Sequence, residues 1–287
     1  LRVQGLKEQI PMREKIRFTG QVKSVTIKFY CGRWYAAFLV ETEGRPKSTT
    51  AREPSVGIDF GLTNLAVLSN GEVIENPKPL KRSLRKLKRR QRQASRRYVR
   101  GAKSQSNRHA KAAAAVARIH KKVVDQRSAA HHEFTSSVVQ RFDRITIEDL
   151  NVRGMQKNRR LSRAISDAGW ATLRGQLEYK SKWSGVEFVI ADRWFASSKV
   201  CSGCGHKVEK LSLSQRTFEC PACNVSLDRD LNAAINLDRY EATTPPIRGS
   251  RKTDRVGLCK TTSVAEPLEP VNINPVRKNE GRCQPQR

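Results

Sequence analysis

Acidic residues and long apolar runs are both scarce in this chain, and its cysteines do not add up to a disulfide framework. Lys and Arg number 56 against 27 Asp and Glu, a formal charge of +29. A surplus this large exceeds what solubility asks of a surface and points to a polyanionic partner. No apolar run approaches the roughly 20 residues of a membrane-spanning helix, and no secretory signal opens the sequence, so nucleic acid is favoured over a membrane. The seven cysteines are an odd number. Four of them form two C-x2-C pairs, while Cys31, Cys259 and Cys283 are scattered, a usage that fits a reducing cytosol and one metal site. The chain opens at Leu1 rather than Met and is expected to be a fragment of something longer.

A length of 287 residues allows one substantial core with one or two small satellites. Val25, Ile27 and Phe29 fall at period two, Cys31-Gly32-Arg33 interrupts, and Trp34, Ala36, Phe38 and Val40 resume, which predicts a β-hairpin. Residues 44–54 are polar, carry two prolines and mark a domain boundary. Strands are expected at 56–59, 65–68 and 73–74, the last two joined through Asn70-Gly71, a strong hairpin marker.

Residues 78–100 then hold twelve Lys or Arg and no acid, with Leu80, Leu84 and Leu87 at helical spacing. That pattern is a basic helix with a thin apolar stripe. A second helix over 108–141, with Val116, Ile119, Val123, Val124, Phe134 and Val138 inward, completes a helical hairpin with one strongly basic side. Strand 142–150, helix 161–183, strand 186–191 and helix 230–240 follow. Residues 243–287 carry prolines and charges without periodicity and read as a disordered basic tail.

Cys201-x2-Cys204 and Cys220-x2-Cys223 stand fifteen residues apart. Each turn presents two thiolates, and a hairpin between them brings both to one tetrahedral Zn²⁺. His206 is a spare ligand, and a pair of redox dithiols is the bland alternative. A closed Cys₄ site leaves no coordination position for water, so such a zinc is structural. Chemistry has to lie elsewhere.

Three acids stand where strand-like or helical runs end or begin: Asp59 in Val56-Gly57-Ile58-Asp59-Phe60-Gly61, Glu148 in Ile145-Thr146-Ile147-Glu148, and Asp230 at the start of the last helix. Phosphodiester hydrolysis by in-line attack needs an activated water and a stabilised leaving oxygen, which two divalent ions on carboxylates supply. Taken singly each acid reads as a solvated strand end, and Asp228 or Asp230 as a helix cap. Glu148 and Asp149 face opposite ways in a strand, so only one of them can reach a shared site. Asp59-Phe60-Gly61 matches the kinase DFG string, but no glycine-rich loop, strand lysine or catalytic loop accompanies it. Lys81, Arg82, Arg85, Lys86, Lys88, Arg89, Arg90, Arg92, Arg96 and Arg97 are expected to track phosphates irrespective of sequence, with steep salt dependence. Trp34, Trp170, Trp183 and Trp194 are expected in core or hairpin packing rather than as stacking platforms.

The order of four segments resembles the TnpB family of transposon-encoded proteins, relatives of the type V CRISPR effectors. They are Gly57-Ile58-Asp59-Phe60-Gly61-Leu62, Ile147-Glu148-Asp149-Leu150-Asn151-Val152, Ser197 to Gly205, and Asp228 to Asn236. The resemblance implies an α/β, RNase H-like (RuvC) nuclease over residues 54–196 with the basic hairpin at 79–141. It also implies a Cys₄ zinc ribbon over 197–226, a last nuclease segment over 227–242 and a β-rich remnant over 1–53. The implied activity is RNA-guided, Mg²⁺-dependent DNA cleavage linked to an insertion sequence, with guide RNA and target DNA as partners. Asp59, Glu148 and Asp230 would hold Mg²⁺, Zn²⁺ would be structural, and the setting would be a prokaryotic, nucleoid-associated cytoplasm. The family's N-terminal portion is expected to be mostly absent here, leaving the active site whole and guided targeting impaired. A catalytically impaired or truncated nucleic-acid-binding protein, and a transposase that joins strands itself, share the same acids.

Overall fold

The computed structural model describes residues 11–16, 18–42, 51–212 and 215–241. The expected tail over 243–287, with Cys259 and Cys283, lies outside the described residues. The predicted N-terminal hairpin is β1 (Gln21–Tyr30) and β2 (Arg33–Glu41), antiparallel with Phe29 opposite Trp34. Cys31 and Gly32 make its turn with φ of 53° and 80°.

A five-stranded sheet carries the core. Its strands are β3 (Val56–Phe60), β4 (Asn64–Leu68), β5 (Val73–Glu75), β6 (Arg144–Glu148) and β7 (Glu187–Ala191), in the order β5-β4-β3-β6-β7. Tight turns make β3, β4 and β5 antiparallel. The helical crossover α1 (Pro79–Ser95) and α2 (Asn107–Arg141) returns the chain so that β6 lies parallel to β3. Short α3 (Val152–Met155), then α4 (Ser162–Ala168) and α5 (Trp170–Ser184), repeat the crossover to parallel β7. The hairpin β8 (Thr217–Glu219) and β9 (Ser226–Asp228) precedes the last helix, α6 (Arg229–Asp238).

Strand alternation sorts β3 into two faces. Val56, Ile58 and Phe60 enter one buried cluster with Phe134 and Val138 of α2 and Leu173 and Leu177 of α5. Gly57 and Asp59 face the other way, under α6. A Cβ at Gly57 would lie 2.0 Å from the Ala234 carbonyl oxygen and 2.3 Å from the Asp238 nitrogen, so only glycine lets this helix rest on the strand.

The continuous helix expected over 161–183 is broken. Gly169, with φ of 66°, ends α4 and starts α5 in the left-handed region. The break serves two contacts. Asp167, at the end of α4, accepts the N–H groups of Leu80 and Lys81, both at 3.0 Å. Helix α1 has left-handed Lys78 at its N-cap and no cap of its own, so a carboxylate from a distant helix satisfies its first turn. The Ala168 carbonyl accepts from buried His131 Nε2 at 3.0 Å, and His131 Nδ1 is left without a donor. The tryptophan expectation also needs correction. Trp170 is core, but Trp34, Trp183 and Trp194 are 71%, 60% and 86% exposed. Trp34 keeps Phe29 as a ring neighbour and Trp183 keeps Tyr179, at 4.9 Å and 4.7 Å.

Two outcomes follow from this packing. Gly57→Ala pushes α6 off the sheet and costs on the order of 3 kcal/mol in urea unfolding. Burial, aided by the Arg127 cation, lowers the His131 pKa to about 4 from its ordinary 6.5, against the pull of its bond to Ala168. The unfolded chain therefore binds a proton first. Stability is full above pH 6.5 and falls by up to about 3 kcal/mol as pH drops toward 4. His131→Gln flattens that limb of a stability–pH curve.

Candidate metal-binding and nucleic-acid site

Register brings the first two acids together. Ile58 pairs with Ile147 across β3 and β6, so Asp59 and Glu148 stand one residue further on neighbouring parallel strands, facing the same side. Helix α6 delivers the third. Asp230 lies one turn before Ala234, which rests on Gly57, and this places it over the end of β3 that carries Asp59. Asp228 Oδ1 fixes the helix start by accepting the N–H groups of Asp230 and Leu231 at 2.9 Å and 3.1 Å. Asp228 is thus the cap, and Asp230 is free of that duty.

The environment of each carboxylate differs. Asp59 is held well above the ordinary carboxylate range, first by burial and then by the charges of Glu148 and Asp230. Glu148 is raised by burial, partly countered by the hydroxyl of Ser197, which donates to Glu148 Oε1. Asp230 pairs with Arg229 at 3.1 Å and, more loosely, with Arg216 at 3.9 Å. The three acids are within charge reach of one another, yet their oxygens are not drawn into one tight set. Among the described residues, the four cysteine sulfurs are the set that closes so far, all within 4.8 Å of one another.

Asp149 turns away from this group, as alternation requires, and takes Arg174 and Arg193 at 2.6 Å and 2.5 Å. Sequence reading missed the arginine partners, because nothing local links residue 149 to 174 or 193. It also missed the part played by Asn232 and Asn236, although both lie in the quoted motif. Asn232 accepts from the Ser202 N–H at 2.9 Å and donates to the Val200 carbonyl at 2.7 Å. Asn236 donates to the Ser197 and Val200 carbonyls, both at 2.7 Å. One turn apart on α6, they clamp the segment that leads from Ser197 into the cysteine turns.

Cys201, Cys204, Cys220 and Cys223 form a cluster able to hold a metal ion. The sulfurs of Cys201 and Cys223 are 3.6 Å apart, and those of Cys204 and Cys220 3.5 Å. His206 is not part of the set; its carbonyl accepts from the Cys201 N–H. Along α1 and just beyond, Lys81, Arg82, Arg85, Lys86, Lys88, Arg89, Arg92, Arg96 and Arg97 are exposed, while Leu87 is buried. Arg90 is half-buried and donates to Gln93 at 2.9 Å. Among the described residues no helix is long and apolar enough to cross a membrane.

Comparison with known proteins gives two family matches: one described as "Probable transposase" over residues 37–159, and one as "Cas12f1-like, TNB domain" over residues 170–237. A candidate RNA-guided DNA endonuclease of Streptomyces pristinaespiralis is 42% identical over 230 residues, 79% of this chain and 55% of its own length. A candidate RNA-guided DNA endonuclease of Escherichia coli is 33% identical over 243 residues, 78% of this chain and 58% of its own. The chain thus spans about half the length of the curated relatives it matches. A solved CRISPR-Cas12f ternary complex aligns with a TM-score of 0.47 and 21% identity, over 72% of this chain and 42% of that one. With two family matches in tandem and relatives aligned along most of its length, the chain belongs to the TnpB/Cas12f1-like family.

Proposed function

We propose that this chain carries the nuclease portion of an RNA-guided, Mg²⁺-dependent DNA endonuclease linked to an insertion sequence, on an RNase H-like (RuvC) core. The observation that supports it best is the gathering of Asp59, Glu148 and Asp230 at one sheet end, where two neighbouring charges hold Asp59 well above its ordinary range. Three hard oxygen donors crowded against their own repulsion suit Mg²⁺, which prefers a few carboxylates together with substrate phosphate. When bound, divalent ions would activate the attacking water and stabilise the leaving oxygen.

This chain's residues do the holding. Ser197 fixes the Glu148 rotamer, Arg229 and the Asp228 cap fix Asp230, and the Gly57 contact sets the distance of α6 from β3. The exposed Lys and Arg of α1 track phosphates of guide RNA or target DNA without reading bases. In the cysteine ribbon, the observed sulfur separations of 3.5 Å and 3.6 Å lie close to the edges of a tetrahedron. Zn–S bonds of about 2.3 Å require edges of about 3.8 Å. A structural Zn²⁺ fits.

Incubating the purified chain with its co-purified RNA, labelled DNA and Mg²⁺ tests the activity. Asp59→Asn is expected to abolish cleavage, and equal cutting by parent and variant would remove Asp59 from the site. The same substitution carries a stability signature. A carboxyl raised in the folded state costs stability at every pH above the ordinary carboxylate range. In the absence of divalent ions, Asp59→Asn therefore stabilises the chain at pH 7, by about 1 kcal/mol, and the gain vanishes below about pH 4. Added Mg²⁺ raises the melting temperature of the parent and not of the variant. Removing metal from the four thiolates is expected to lower the melting temperature and expose the β8–β9 segment to protease. Unchanged melting after chelation overturns the structural zinc.

A further inference from the structure

A cleft of about 340 Å³ opens beside Glu148, over the ends of β3 and β6 and along the first turns of α5. Phe60, Ile147, Leu150 and Trp170 give it an apolar floor, and Arg174 and Arg193 stand on its rim. The two guanidinium groups share one carboxylate, Asp149, whose two oxygens they take at 2.6 Å and 2.5 Å. That arrangement fixes both arginines in place and leaves one net positive charge facing solvent, a geometry suited to a phosphate.

The residue after Arg193 is Trp194, the most exposed large apolar side chain among the described residues at 86%. Its backbone is not loose. The Trp194 N–H donates to Asp192 Oδ1 at 2.7 Å, and the Phe195 N–H donates to the Asp192 carbonyl at 2.9 Å. Phe195 then packs on Tyr240 with ring centroids 4.9 Å apart. A pinned turn that holds an indole in water is a preorganised platform, which loses little freedom when something stacks on it.

We propose that this cleft and its rim bind one unpaired DNA nucleotide next to the scissile bond, with Trp194 stacking on the base and Arg174 and Arg193 holding the flanking phosphate. The proposal rests on the nuclease reading for the identity of the strand. An aromatic platform needs a bare base face, which a paired and stacked base does not offer. The subsite thus selects single strands over duplex, whereas the phosphate-tracking face of α1 does not discriminate.

Binding is measured in the Asp59→Asn chain without divalent ions, with a short single-stranded deoxyoligonucleotide and its duplex, by fluorescence anisotropy at several salt concentrations. Because α1 adds a background for both, the ratio of single-strand to duplex affinity is the readout. Trp194→Ala is expected to lower single-strand affinity about tenfold and duplex affinity less than twofold, with Trp194→Phe retaining most of the preference. Arg193→Gln is expected to reduce the single-strand salt slope by about 0.7. Unchanged single-strand affinity in Trp194→Ala, or equal loss for both forms, overturns the subsite. The read-out needs no cleavage, so failure of the parent chain to cut DNA leaves this result standing, and failure here leaves the nuclease test untouched.

Discussion

The site depends on a close contact between a strand and a helix. With hydrogen in place of a side chain at Gly57, α6 lies directly on β3, its backbone inside the space a Cβ would fill. The rest is geometry. Two residues along an extended strand and one turn of a helix cover similar distances, so residues that follow the contact on each element stay abreast. Asp59 follows Gly57 on its strand and Asp230 precedes Ala234 on its helix. Glu148 joins because β6 runs parallel to β3 in matching register.

Crowding like charges is unfavourable, and the fold offsets it unevenly. Ser197 eases Glu148 and Arg229 eases Asp230, while Asp59 meets both neighbouring charges at the most buried position. The formal +29 of the whole chain does not relieve it, because the densest cations sit on the exposed face of α1, on the far side of screening solvent. Stability and the proposed chemistry pull in opposite directions at this one carboxylate.

Much of this was legible beforehand. Alternation and the Asn70-Gly71 turn marked the strands, the leucine spacing marked α1, and the paired cysteines marked their own cluster. Each acid could be picked from its run. What sequence could not supply was partnership across distance. Asp167 capping α1 spans 86 and 87 residues, and Ser197 bonding Glu148 spans 49, with no local pattern to betray either. The break at Gly169 was missed because a lone glycine inside a helical pattern is tolerated as often as it terminates one. The exposed tryptophans were misjudged because apolar character says what a residue favours, not what its anchored loop permits.

The asparagine pair on α6 gives the metal cluster a reach beyond its own fold. Asn232 and Asn236 tie the backbone entering the cysteine turns to the helix that bears Asp230, and that same backbone carries the hydroxyl resting on Glu148. Thiol oxidation or metal starvation would slacken those ties while the sheet and its helices stayed folded. Damage to four sulfurs would then register first as a misaligned pair of carboxylates, a soft failure that leaves an intact, inert scaffold behind.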